Sequence, residues 1–153
     1  MKKTLLIIFS IVLSIPMLGQ NSAKQLEQME NEIVLLVNQH RESLGLTPLK
    51  MNNIAREQSQ LHSKRMAYGS EKFSHNGFDS RTKTIRSKFG GNAFAENIAY
   101  GHMSAKSVVD GWLNSPGHKK NIEGNYTHIG VGVAQSKSGT LYFTQIFVRH
   151  ITE

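Results

Sequence analysis

The spacing of the apolar residues changes once along this chain, and that change limits the fold class. Segments with the three- and four-residue spacing of helices occupy the chain between residues 26 and 115. The later segments "IGVGVA" and "TLYFTQIFV" are rich in β-branched and aromatic residues, and they predict two strands joined by the turn "QSKSG". Because the helices precede the strands instead of alternating with them, the order predicts an α+β fold rather than a doubly wound sheet.

Four helices are predicted in the helical part. The first ends before Gly45, and the second spans residues 52–68 and ends at Gly69. The segment "RTKTIRSKFGG" predicts a short third helix, and Ser104 predicts the N-cap of a fourth that ends before Pro116. The apolar positions that indicate these helices include Leu26, Met29, Ile33, Val37, Leu44, Ile54, Leu61, Met66, Val108, Val109 and Trp112.

The first 20 residues have the pattern of a secretory signal peptide. Lys2 and Lys3 precede the apolar run "TLLIIFSIVLSIPML", which is short for a membrane span of about 20 residues. Gly19 and the polar segment "QNSAKQ" follow, so cleavage is predicted near Gly19 or Gln20. An uncleaved membrane anchor is the alternative. The predicted mature part, residues 21–153, is a single secreted or periplasmic domain with no transmembrane segment after processing.

The absence of cysteine from all 153 residues excludes thiol catalysis and disulfide bonds. It also excludes the lipid-modified cysteine of a bacterial lipoprotein. A secreted domain of this size must then be stabilised by its hydrophobic core alone, which is feasible for roughly 130 residues.

The charge is moderately basic. The net charge of +7 falls to +5 when Lys2 and Lys3 leave with the signal peptide. The one dense basic stretch contains Arg81, Lys83, Arg86 and Lys88, without interleaved aromatic residues or a nucleic-acid-binding motif. It predicts a solvated basic face and no specific nucleic-acid partner. A weak attraction to acidic polymers or anionic lipid is the alternative.

Local motifs do not reveal a reaction. The chain has no G-x-S-x-G elbow, no glycine-rich phosphate loop and no H-E-x-x-H motif. None of its seven histidines is paired at the four-residue spacing of a helical zinc site. Local spacing by itself therefore favours ordinary surface or core histidines.

An ordered set of motifs carries more information. The segments "VNQHRESLGLTPLK", "SQLHSKRMA", "FSHNGF", "AENIAYG", "VVDGWLNSPGHKKNI", "HIGVGVA" and "YFTQIF" follow one another along the chain. Together they closely resemble the CAP superfamily, named for cysteine-rich secretory proteins, antigen 5 and pathogenesis-related proteins. The resemblance covers about residues 26–149 and is to the short bacterial branch of that family.

The resemblance implies a three-layer α-β-α sandwich around a small antiparallel sheet, with a cleft that gathers distant residues. It identifies His75, Glu96 and His118 with cleft residues that in many members hold a divalent cation, so zinc or calcium is the implied cofactor. A second acid of the family pattern falls at Ser115 here, which reduces four polar residues to three. Ala95 stands where the family has glycine before Glu96.

The residues themselves allow two interpretations of this triad. Two imidazoles and one carboxylate can bind zinc and leave a fourth position open for water. Alternatively, His75, Glu96 and His118 form a hydrogen-bonded network that only fixes loops on the sheet. Three further residues are predicted to support the cleft: Trp112 by packing a helix against the sheet, Asn97 by bonding to loop backbone, and Ser115 as a nearby hydroxyl.

Three classes of function stay open. A binding module would hold a metal, a lipid or acidic polymer, or another extracellular or envelope ligand. A hydrolase would use His75, Glu96 and His118 to activate a water against a peptide or an envelope polymer. A structural protein would use the triad only for architecture. Activities claimed in the CAP superfamily include proteolysis, lipid or sterol binding and signalling, and they do not decide the matter. No catalytic nucleophile is assigned, because nothing in the sequence aims Ser115, so the binding module is favoured.

Overall fold

The computed structural model describes residues 21–150, and the predicted signal peptide lies outside this part. Within it the chain forms five helices and four strands. Their order is α1 (Ala23–Ser43), β1 (Lys50–Met51), α2 (Asn53–Ala67), α3 (Phe78–Lys88), β2 (Ala93–Tyr100), α4 (Ala105–Leu113), α5 (Pro116–Ile122), β3 (His128–Gln135) and β4 (Leu141–Arg149). No helix among residues 21–150 combines the length and the hydropathy of a membrane span.

The four strands form one sheet in the order β1-β3-β4-β2. The hairpin β3–β4 and the pair β2–β4 are antiparallel, whereas the two-residue β1 pairs parallel with β3. One face of the sheet, with Phe143 and Phe147, packs against α1 and α4. The other face, with Ile146 and Val148, packs against α2 and α3. The α+β class and the three-layer sandwich are therefore confirmed.

The predicted helix ends are confirmed where capping residues marked them. The Ser104 side chain accepts a hydrogen bond from the Ser107 amide at 3.1 Å and starts α4. Gly45, just beyond α1, has a φ of 72°, a left-handed conformation that favours glycine. Asn114 and Ser115 separate the end of α4 from Pro116, which is the first residue of α5.

Trp112 lies in the core, as predicted, and is 1% exposed. Its indole Nε1 donates a hydrogen bond to the Ile98 carbonyl at 3.3 Å, so its polar atom is also satisfied. The opposite layer sits unusually close to the sheet. A Cβ on Gly132 would lie 2.1 Å from the Gln60 amide nitrogen, so α2 rests directly on β3. Glycine is needed at this position because any side chain would push the helix away.

One expectation about surfaces was wrong, and one apolar position of α2 lies outside the core. Leu61 is 40% exposed, whereas its neighbour His62 is fully buried. In the basic stretch, Lys83, Arg86 and Lys88 are exposed as predicted, but Arg81 is only 4% exposed. A buried arginine needs a partner, and Arg81 finds one on β2, as described below.

The sequence pattern does not predict β2. Its residues Glu96 to Ala99 are all buried, because helices cover both faces, so the strand lacks the alternation of a half-exposed one. It lies at the edge of the sheet, where free backbone groups invite unwanted pairing. The Glu96 and Ile98 carbonyls of this edge accept hydrogen bonds from Asn121 and Trp112, respectively. Side chains of α4 and α5 therefore cover the exposed edge.

Candidate functional site

The three residues of the predicted triad lie on three different elements. His75 lies in the loop between α2 and α3, Glu96 lies on β2, and His118 lies in α5. His75 and Glu96 are in direct contact, with Nδ1 of the ring 2.9 Å from Oε1 of the carboxylate. His118 makes no hydrogen bond through its ring to any residue that the structure describes. We call His75, Arg81, Glu96 and His118 the histidine site.

The carboxylate of Glu96 is buried and fully engaged. Its side chain is 1% exposed. Arg81 donates from Nε to Oε2 and from Nη2 to Oε1, each at 2.8 Å. This two-point contact is the strong geometry of an arginine–carboxylate pair. A third nitrogen of Arg81, Nη1, donates to the Asn76 carbonyl at 2.9 Å and ties the loop before α3 to the same pair.

The Glu96 carboxylate also determines which nitrogen of His75 faces outward. Because an ionised carboxylate only accepts hydrogen bonds, Nδ1 of His75 must be the donor in their contact. In the neutral ring, Nε2 then carries the free lone pair. The His75 side chain is 54% exposed, so the imidazole remains accessible while Glu96 fixes its orientation.

His118 is held through the backbone of α5. Asn97 is fully buried on β2, and its Nδ2 donates to the His118 carbonyl at 3.2 Å. Asn121, one turn further along α5, donates to Oδ1 of Asn97 at 2.8 Å. Asn97 was predicted to bond to loop backbone, and its backbone partner here is a carbonyl within the helix α5. Ser115 is the N-cap residue of this helix, and its side chain makes no capping hydrogen bond.

Two effects favour the neutral form of the His118 imidazole. Burial lowers the pKa of His118, and the nearby charge of His75 lowers it further. The pKa is lowered because burial and a nearby positive charge both disfavour the charged form of histidine.

Arg81 and His62 were not predicted to belong to this region. His62 is fully buried, and its two ring nitrogens lie 3.0 Å from Glu71 Oε2 and 3.0 Å from the Ser74 carbonyl. It therefore anchors the loop that carries His75. Burial, followed by the charge of Arg81, lowers the pKa of His62. One signal in the sequence was available for Arg81, since it lies four residues before Ile85 on the buried side of α3.

The arrangement does not fit a metal site made of His75, Glu96 and His118. Both oxygens of Glu96 already accept hydrogen bonds from Arg81. In residues 21–150 no group of three or more histidine, cysteine or acidic side chains could hold a metal ion. What remains available for a ligand is the outward nitrogen of His75 and the ring of His118.

A three-layer sandwich with a histidine bonded to a buried glutamate on its edge strand defines a protein class rather than an activity. Residues 34–147 match the CAP family, described as the cysteine-rich secretory protein family, and the chain belongs to it. The motifs predicted the bacterial branch of this family, and the relatives named below support that prediction.

The uncharacterized protein YkwD of Bacillus subtilis is 35% identical over 128 residues, which are 78% of this chain and 46% of that protein. Among solved structures, an extracellular protein containing an SCP domain from Bacillus anthracis is 31% identical, with a TM-score of 0.71. The match covers 86% of this chain and 45% of that one. An outer surface protein from Borrelia burgdorferi has a TM-score of 0.74 at 18% identity, covering 87% of this chain and 99% of its own. This chain thus spans less than half of each of these two Bacillus proteins, and the Borrelia protein shows the fold alone.

Proposed function

We propose that this chain is a secreted, non-enzymatic binding module whose histidine site binds an extracellular ligand through His75 and His118. The observation that carries the proposal is the complete engagement of Glu96. Because its carboxylate is bound by Arg81 and His75, Glu96 acts as a support and not as a free base. Two imidazoles are then the groups that can meet a ligand.

Export is part of the proposal. The pattern of residues 1–20 and the cysteine-free composition agree with passage through a bacterial membrane. The Bacillus anthracis protein of the same fold is described as extracellular, which supports the same location for this chain.

The chemistry of the site favours zinc over calcium among divalent metals. Calcium takes six to eight oxygen ligands, and the Glu96 oxygens are engaged by Arg81. Neutral imidazoles are common ligands of zinc, and His75 and His118 can both supply one. A zinc ion held by only two protein ligands would be bound weakly and would leave positions for groups of an extracellular ligand. We therefore propose that zinc assists the binding of an extracellular ligand and does not stabilise the fold.

Zinc titration by calorimetry tests this proposal. We expect one weak site near pH 7.5 whose affinity falls toward about pH 5.5, because protonated imidazole cannot coordinate a metal. His75→Ala or His118→Ala should weaken binding by at least about tenfold, whereas Glu96→Gln, whose amide oxygen can still accept from His75, should weaken it less. His102→Ala removes a histidine outside the site and serves as the matched control.

Two results would count against the proposal. Wild-type protein that binds no zinc at millimolar concentration, while His75→Ala and His118→Ala both lower the melting temperature, would indicate a purely structural network. An affinity lost equally in His102→Ala would indicate adventitious histidine binding elsewhere.

A hydrolase is the second candidate, and one contact favours it. A carboxylate that orients an imidazole through Nδ1 leaves Nε2 placed as a general base, as in catalytic triads. Neither His75 nor His118 is hydrogen-bonded to a hydroxyl side chain among the described residues, so the nucleophile would be water. Hydrolysis of peptides or envelope polymers that disappears in His75→Ala would support this candidate. Hydrolysis that persists in that variant would remove it.

A further inference from the structure

A second concavity lies away from the histidine site, where the end of α1 meets the start of β3. It has a volume of about 750 Å³. Its lining includes Arg41 from α1, Lys50 from β1, Phe89 beyond α3, Tyr126 before β3, and His150 beyond β4. We call this concavity the Arg41 pocket.

Arg41 is a buried cation without a carboxylate partner. It is 2% exposed. Its Nε donates to the Thr47 carbonyl at 2.9 Å, and its Nη1 donates to the carbonyls of Ile122 at 2.7 Å and Gly124 at 2.9 Å. No residue from 21 to 150 accepts a hydrogen bond from the remaining nitrogen, Nη2. Three neutral carbonyls satisfy donors but leave the charge of the guanidinium unpaired.

Burying an unpaired charge is unfavourable in free energy, and Arg41 carries this penalty in the folded protein. Burial lowers the pKa of Arg41, which reflects the same cost. The acidic residue in the lining, Glu123, is already engaged by His40 at 2.9 Å and lies 3.8 Å from Lys119. Lys50 adds a second positive charge to the lining. The pocket therefore has an excess of positive charge that an anion would balance.

The other wall of the pocket is aromatic. The Phe89 ring lies 4.8 Å from the His128 ring and 4.6 Å from the His150 ring, centre to centre. Burial, followed by the charges of His150 and Lys50, lowers the pKa of His128 and favours its neutral form. Tyr126 contributes a further ring to the lining. An apolar body can therefore pack against this wall while its charged end faces Arg41.

We propose that the Arg41 pocket binds a small organic carboxylate with an apolar body. The carboxylate pairs with the guanidinium of Arg41 and the ammonium of Lys50, and the body packs against Phe89 and Tyr126. Carboxylates match the planar guanidinium better than they match any other side chain in this lining. This site is independent of the histidine site, because it uses none of the same side chains.

Benzoate is the probe, and benzamide is its neutral counterpart of the same shape. We expect saturable benzoate binding in calorimetry or in amide chemical-shift titration, with benzamide at least about tenfold weaker because it lacks the charge. The shifted amides should belong to residues 45–50, 122–128 and 150. Benzoate affinity should also fall with added salt, since the contact with Lys50 is exposed to solvent.

Lys50→Glu is the decisive variant, because Lys50 is exposed and its replacement leaves the core intact. It should weaken benzoate binding by about fivefold or more, whereas Lys137→Glu, the same charge change at an exposed residue outside the lining, should change it by less than about twofold. If circular dichroism shows that the Arg41→Gln protein folds, this variant should bind no benzoate. If the Arg41→Gln protein does not fold, the comparison of Lys50→Glu with Lys137→Glu tests the proposal. Equal binding of benzoate and benzamide, equal effects of the two lysine variants, or shifts confined to residues around His75 and His118 would each overturn the proposal.

Discussion

Arg81 and Glu96 form a buried two-point ion pair, with Nε and Nη2 of the arginine each 2.8 Å from a different carboxylate oxygen. The pair joins α3 to the edge strand and holds His75 in its orientation through the same carboxylate. It also explains how a glutamate can be buried in a sheet. The histidine site is thus supported by an arginine that lies 15 residues before the glutamate in sequence.

Arg81→Ala should strongly destabilise the fold. Removal of one partner from a buried ion pair leaves an uncompensated charge and typically costs about 3–5 kcal/mol in the free energy of unfolding. Urea denaturation followed by circular dichroism measures this change. Lys106→Ala, which breaks the exposed pair with Asp110, is the control and should cost at most about 1 kcal/mol. The double variant Arg81→Met with Glu96→Leu should lose less than the sum of the single losses. Equal losses for Arg81→Ala and Lys106→Ala would contradict the pairing described here.

Gly132→Ala should separate α2 from the sheet. The added Cβ would lie 2.1 Å from the Gln60 nitrogen and 2.2 Å from the Ser59 carbonyl carbon, and backbone atoms of a helix cannot turn aside as a flexible side chain can. Overpacking of this kind costs about 1–3 kcal/mol or more. Gly117→Ala is the matched control, because a Cβ there meets nothing within 4 Å. Thermal melts of the two variants should differ clearly, and similar melts would show that α2 does not rest on β3.

Trp112→Ala should lower the free energy of unfolding by about 3–5 kcal/mol, because it removes a buried aromatic ring from the core. The residue is 1% exposed and packs between α4 and the sheet. Leu35→Ala, at a residue that is 56% exposed, provides the comparison and should have little effect. A Trp112→Ala protein that melts within a degree or two of wild type would be inconsistent with this placement.

The stability should fall as the pH drops below about 6.5, even before carboxylates titrate. Burial lowers the pKa values of His62, His118 and His128 in the folded protein. The unfolded chain therefore binds more protons in the window between the unfolded pKa and these lower values, and protonation favours unfolding. Melting temperatures across that window, measured with a metal chelator present, test the sign.

His118→Gln should make this pH dependence shallower, because it removes one of the three histidines. As the pH falls, the melting temperature of the wild type should therefore fall more steeply than that of His118→Gln. Parallel curves would mean that His118 does not have a lowered pKa in the folded protein.

The mature protein should be found outside the cytoplasm and should begin near Gln20 or Asn21. This follows from the basic start, the apolar run and Gly19. N-terminal sequencing of protein from the medium or periplasm checks it. An intact Met1 in the membrane fraction would instead support an uncleaved anchor.

Periodicity and capping residues were enough to predict most of the helices and the β3–β4 hairpin. The helix that contains Ile33 and Val37 buries both residues at its predicted face, and Ser104 caps α4 as expected. These features are local, since a cap or an apolar face depends on residues within a few positions of one another. The ordered motifs also predicted the family and the layers of the fold.

The strand β2, the burial of Arg81 and the Arg41 pocket depended on contacts between residues distant in sequence. Helical spacing indicates that Arg81 shares the buried side of α3 with Ile85, but no local pattern indicates that it meets Glu96 on β2. The same is true of Arg41, whose partners at Ile122 and Gly124 lie more than 80 positions away. The sequence by itself determined most of the helices, the β3–β4 hairpin and the residue types of the site. Only the tertiary structure decided which charges meet, because burial and pairing of charge are properties of the packed layers.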